Sequence, residues 1–94
     1  MLSNGFSAEI VEKVWQKGLI VLGQNSNLMR KDACGAFIKR NLYGVRDGQS
    51  GNGWEIDHID PNGSDDLSNL RPLQWYNNVT KSDGVLKCAV RASA

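Results

Sequence analysis

Histidine occurs once in these 94 residues, and cysteine, proline and methionine occur twice each. The two cysteines, Cys34 and Cys88, form no CxxC pair, which excludes a zinc knuckle and argues against a disulfide framework. They are expected to be buried free thiols in a reducing compartment. Long apolar runs are missing as well. The longest purely aliphatic one is Leu19 to Leu22, and no basic segment leads into an apolar stretch near the amino terminus. Neither a membrane span nor a signal peptide is expected, and a cytoplasmic protein is. Charge of one sign is not in excess. Eleven basic against ten acidic residues leave a net charge of +1, which by itself neither favours nor disfavours a nucleic-acid partner.

What is present is enough to fold. Hydrophobic residues make up 40% of the chain, with three tryptophans, a composition outside the disordered class. A chain of this length makes one domain, residues 1–94, and buries roughly two thirds of its unfolded surface. The charges are also grouped. Arg30 to Arg46 holds five bases and one acid, Asp47 to Asp66 six acids and no base, and Arg71 to Arg91 four bases and one acid. An acidic centre between basic flanks suits a cation site that faces a phosphate backbone.

Ser7 has the character of a helix cap and Glu9 suits the positive end of the helix dipole. Phe6 is placed to staple onto Val11. Ile10, Val11, Val14 and Trp15 recur at helical spacing, so a helix is expected from Ala8 to Lys17, stopped by Gly18. Leu19 to Leu22 is expected to be a buried extended segment, Arg30 to Asp32 a charged turn, and Ala36 to Lys39 a strand. Asp47 to Gly53, rich in glycine, has the composition of a flexible connector. Trp54 to Ile59 alternates apolar and polar residues and is expected to be a strand with Trp54, Ile56 and His58 on one face. Asp60 to Gly63 turns the chain, and Asp65 to Leu70 forms a tight loop. Leu70 to Trp75 follows as a second strand with Pro72 at an edge, and Tyr76 to Ser82 as a short helix. The fold class is α+β.

Trp54 to Gly84 holds the chemistry. Hydrolysis of a phosphodiester needs an activated water, a counter-charge at phosphorus and help for the leaving alkoxide. Histidine suits the first task, because its ordinary pKa of about 6.5 leaves it largely neutral near pH 7. A cation held by the carboxylate of Asp57 and the amide oxygen of Asn78 suits the others, and all-oxygen ligation favours Mg²⁺ or Mn²⁺. Adjacent residues of a flat strand point to opposite faces, so Asp57 and His58 meet at one site only where the strand ends or twists.

Asp57-His58-Ile59 with Pro61, then Gly63 to Leu70 (GSDDLSNL), Pro72-Leu73 and Asn78-x-x-Lys81 resembles the HNH endonuclease family. The preceding run from Arg30 to Ile38 resembles the segment ahead of the core in compact bacterial and phage members. The resemblance covers Trp54 to Gly84, about a third of the chain, and it constrains residue types at many positions.

It implies a ββα-metal (His-Me finger) core at residues 54–84, preceded by the amino-terminal helix and extended segments. It implies His58 as general base, Asn69 as the buttress of the catalytic loop, and Asp57 and Asn78 as ligands of one divalent ion. Many members carry a second metal-binding histidine where this chain has Asn78, and many carry zinc-binding cysteine pairs that this chain lacks. Without them, Trp54 and Trp75 are expected to hold the core. Arg46, Arg71 and Lys81 are candidates for phosphate contacts. The implied activity is DNA cleavage, with RNA as another substrate class. The competing expectations are a non-catalytic nucleic-acid-binding module of the same fold and the nuclease domain of an antibacterial toxin or phage packaging system.

Overall fold

Ser7 opens the first element as expected: its hydroxyl accepts the Ile10 amide at 3.2 Å and caps α1, Ala8–Trp15. The structure, a computed structural model, describes residues 5–92. The helix stops two residues short of Lys17. Val14 and Trp15 are fully buried and join Ile38, Trp54, Ile56 and Leu70 in one core, against which Phe6, Ile10 and Val11 pack.

Two expectations for the next segment fail for one reason. Leu19, Ile20 and Leu22 are exposed, at 55, 70 and 100%, whereas the charged residues Arg30 and Asp32 are buried. An aperiodic apolar run carries no information about which face is covered. Arg30 lies in β1, Met29–Lys31, which pairs antiparallel with β2, Phe37–Lys39, so its segment is a strand rather than a turn. Its guanidinium donates to the carbonyls of Gln16, Gly18 and Ser26, the first two at and just beyond the end of α1, where carbonyls lack helical partners. Asp32 Oδ1 accepts the amides of Cys34 and Ala36, and Oδ2 accepts the Gln74 amide and Asn77 Nδ2. One buried carboxylate thus joins the first hairpin to the second.

The cysteines are not free thiols. Cys34 and Cys88 form a disulfide across a sequence separation of 54, because the carboxy-terminal segment returns to the turn of the β1–β2 hairpin. There the Ala92 amide donates to the Gly35 carbonyl and Arg91 to the Cys34 carbonyl. Spacing along the chain says nothing about such a return.

The connector from Asp47 to Gly53 is pinned rather than loose. The Asp47 carboxylate accepts the amides of Asn52 and Gly53, and Gln74 Nε2 donates to the carbonyls of Gln49 and Gly51. Burial acts to raise the Asp47 carboxyl, but the Gly53 and Asn52 amides prevail and hold it below its ordinary value. Gly53 is required here, since a Cβ would lie 1.7 Å from the Val45 carbonyl oxygen.

The second hairpin follows the expected alternation. β3, Trp54–His58, pairs antiparallel with β4, Leu70–Gln74, in the register Trp54 with Gln74, Ile56 with Pro72, Asp57 with Arg71 and His58 with Leu70. A one-turn 3₁₀ helix, Leu67–Asn69, leads into β4. α2, Trp75–Thr80, follows directly, capped by the Gln74 side chain, which accepts the amides of Tyr76 and Asn77. Trp54 is buried, but Trp75 is only half-buried and donates to the Gly48 carbonyl, so it braces the connector and stays out of the core.

Because residues opposite each other across a strand pair share a face, the hairpin has two distinct sides. Trp54, Ile56 and Leu70 face the core with α1. Glu55 and Asp57 meet side chains of α2 and the residue after it.

Candidate active site

Where β3 ends, the chain must turn, and Asn69 holds that turn. Its Oδ1 accepts the Asp60 amide at 2.9 Å, and its Nδ2 donates to the carbonyls of Asp60 and Ser64. The Ile59 amide also donates to the Asn69 carbonyl. Asn69 touches the loop backbone on both sides of its bend, so it positions the end of β3. Gly63 is needed beside it, because a Cβ there would come within 2.7 Å of Asn69 Nδ2.

His58 is the last residue of β3 and leaves it on the core side. Its ring centroid lies 6.1 Å from that of Phe6, and its Nε2 is 2.6 Å from Asp65 Oδ1. The imidazole is one-third exposed and Asp65 largely so. With the shared proton on Nε2, the carboxylate orients the ring and leaves Nδ1 as the basic nitrogen.

Asp57 leaves β3 on the opposite side and is nearly inaccessible at 5%. Arg71, across the strand pair, donates Nε–H to Asp57 Oδ2 at 2.8 Å, and Lys81, just after α2, donates to Oδ1 at 2.8 Å. Lys81 Nζ also donates to the His58 carbonyl oxygen. Two residues back on the same face, Glu55 accepts Asn78 Nδ2 at 2.9 Å and pairs with Arg46 through two hydrogen bonds. The hydrogen bond to Glu55, followed by its negative charge, holds the Arg46 guanidinium above its ordinary value.

Six of the seven residues singled out from sequence therefore fall into three groups. His58 pairs with Asp65; Asp57, Arg71 and Lys81 form an ion triad; Asn78 and Arg46 meet on Glu55. Asn69 stands apart as the brace of the turn. Arg46, Arg71 and Lys81, expected on phosphates, each hold a carboxylate of the protein itself. Although the side chains of Asp57 and His58 diverge, both residues border one cleft of about 690 Å³, together with Asn78, Lys81, Pro61 and Asn62.

Glu55 and Asp65 were not foreseen. Glu55 was legible from the period of two along β3, which places it beside Asp57. Asp65 carries no local signal, since its meeting with His58 depends on how the 60–66 loop folds back.

Among the described residues, no group of three or more His, Cys, Asp and Glu side chains gathers around a metal position. Asp57 and Asn78 border the same cleft, and Asn78, by giving its NH₂ to Glu55, keeps its amide oxygen free of that carboxylate. The Lys81 ammonium bridges Asp57 Oδ1 and a main-chain carbonyl, so a tethered cation already stands where a divalent one would be held. Mg²⁺ keeps several waters and takes one or two protein oxygens alongside substrate phosphates. A divalent ion at Asp57 Oδ1 would have to displace the Lys81 ammonium, with Arg71 still on Oδ2.

Comparison with known protein families, with curated proteins and with solved structures finds no match. The family resemblance rests on the residues of the Trp54 to Gly84 stretch.

Proposed function

We propose that this chain is an HNH-type endonuclease whose β3, β4 and α2 form a ββα-metal core acting on DNA phosphodiesters. The observation that carries this reading is that His58, whose ring is held by Asp65, borders the same cleft as Asp57, Asn78 and Lys81. His58 takes the proton of the attacking water at Nδ1, while Asp65 holds the ring and its negative charge balances the imidazolium that results. Asp57 and Asn78 would hold one Mg²⁺ or Mn²⁺, which when bound supplies charge at the phosphate and at the leaving oxygen. Arg71 keeps the Asp57 carboxylate oriented from behind. Asn69 keeps His58 at the cleft by fixing the turn that follows it.

The test is conversion of supercoiled plasmid to open or linear forms by purified protein with Mg²⁺ or Mn²⁺. Chelator is expected to abolish it, and His58→Ala to slow it by ~10² or more while the circular dichroism spectrum stays unchanged. Cleavage that is indifferent to both would sink the proposal.

One observation favours a second reading, a nucleic-acid-binding module of the same fold without turnover. Both oxygens of Asp57 are taken by cations of the protein, which leaves the carboxylate fully engaged within the fold. Salt-dependent binding of duplex DNA with no cleavage under any metal would select it. As to compartment, no helix among the described residues is long and apolar enough to cross a membrane, and a disulfide persists where the surroundings are oxidising. A reducing cytosol is therefore a poor setting for the oxidised form of this protein.

A further inference from the structure

We infer that Lys81 is a built-in competitor for the divalent cation at Asp57, and that a DNA phosphate is what draws it away. The inference rests on the nuclease reading for the identity of the site and adds how that site is loaded.

Lys81 is no surface lysine with a chance partner. Its side chain is 8% exposed, and its ammonium is shared between Asp57 Oδ1 and the His58 carbonyl. Arg71 takes the other Asp57 oxygen, and Arg46 takes Glu55. Two carboxylates thus face three cations, Arg46, Arg71 and Lys81, and the cluster carries a net charge of +1. Adding a divalent ion without losing Lys81 would raise this to +3, and would crowd two cations onto an Asp57 oxygen where both Asp57 and Lys81 are nearly inaccessible and unbalanced charge is costly. The ion therefore binds by exchange with the ammonium. An ammonium that leaves Asp57 needs another anion, and at the mouth of this cleft a phosphodiester oxygen supplies one.

The consequence is coupling. Phosphate draws Lys81 outward and frees the Asp57 oxygen, and the ion that follows adds positive charge facing the same phosphate. By linkage, DNA raises the affinity for the ion by the factor by which the ion raises the affinity for DNA. Free protein holds the metal weakly, and the site is completed only when substrate is present.

The experiment measures Mn²⁺ binding by water-proton relaxation on the full chain. A His58→Ala background prevents turnover, and the measurement is made with and without a short DNA duplex. Without DNA, Lys81→Met is expected to bind Mn²⁺ at least about tenfold more tightly than its parent, within the usual range of coupling between sites. Duplex is expected to tighten binding to the parent by a similar factor and to Lys81→Met by much less. Asp57→Asn added to Lys81→Met is expected to remove the gain, which separates this ion from one bound to the DNA alone. Equal affinities of the parent and Lys81→Met overturn the inference, as does a gain that survives Asp57→Asn.

Should Lys81→Met fail to fold, the ¹⁵N signal of the Lys81 ammonium in the His58→Ala protein decides. It is expected to shift when Mg²⁺ and duplex are added together, at a Mg²⁺ level that leaves it unmoved alone. A signal unmoved while Asp57-dependent Mn²⁺ binding saturates overturns the inference. Absence of plasmid cleavage by wild-type protein beside a clear Lys81→Met gain would remove the nuclease reading and leave the competition standing.

Discussion

Opening the Cys34–Cys88 bond tests how much of this small domain depends on one covalent tie. The bond closes a loop with a sequence separation of 54, for which the loss of chain entropy in the unfolded state corresponds to about 4 kcal/mol at 25 °C. For a domain of this size each ~1 kcal/mol moves Tm by roughly 4–8 °C. Reduction, or the double substitution Cys34→Ala with Cys88→Ala, is therefore expected to lower Tm by roughly 15–30 °C. That loss is large beside a total stability of about 5–15 kcal/mol. The effect also reaches the site. The segment carrying Cys88 exchanges two hydrogen bonds with Asn77, whose Oδ1 accepts the Val90 amide and whose Nδ2 donates to the Val90 carbonyl, and the next residue is Asn78. The assay is thermal denaturation followed by circular dichroism with and without a thiol reductant, beside a count of reactive thiols. An unchanged Tm in protein whose thiols have been shown to be free would refute the reasoning.

Three further outcomes are expected. Asp32→Ala removes the acceptor for four donors at once, three of them backbone amides, and urea denaturation should show a loss of at least about 3 kcal/mol; a loss under ~1 kcal/mol would mean that the hub is not formed. Asp65→Ala leaves His58 without its orienting carboxylate and should lower the plasmid cleavage rate roughly 10–100-fold with little change in DNA affinity. If the rate is unchanged, Asp65 has no part in the chemistry. The Asp47 carboxyl titrates below its unfolded value of 3.8, because the Gly53 and Asn52 amides outweigh the opposing effect of burial. A group depressed on folding contributes stability above its unfolded pKa and loses it as pH falls through the folded one. Asp47→Asn should therefore destabilise the protein at neutral pH and lose that difference below pH 3.8; a difference that persists in acid would count against this account.

Elements governed by near neighbours were legible in the sequence. The Ser7 cap, the helical spacing of Ile10 to Trp15, the alternation along β3 and the Asp60 to Gly63 turn each depend on groups a few residues apart, and each forms where expected. That one hairpin and the helix after it carry Asp57, His58, Asn69 and Asn78 was legible in the same way, whereas their separate side-chain partners were not.

What lay beyond the sequence is pairing across the fold. Only the β3–β4 register sets Arg71 opposite Asp57, and only the packing of α2 on that face brings Lys81 to the same carboxylate. The return of the tail joins Cys34 to Cys88, and filling of the core by Trp15 and Trp54 leaves Leu19 to Leu22 outside while Arg30 and Asp32 are taken in. Local geometry is written in adjacent residues because backbone dihedrals and short-range hydrogen bonds decide it. Which charge meets which is settled by whole elements packing together, and by the need of every buried polar group for a partner.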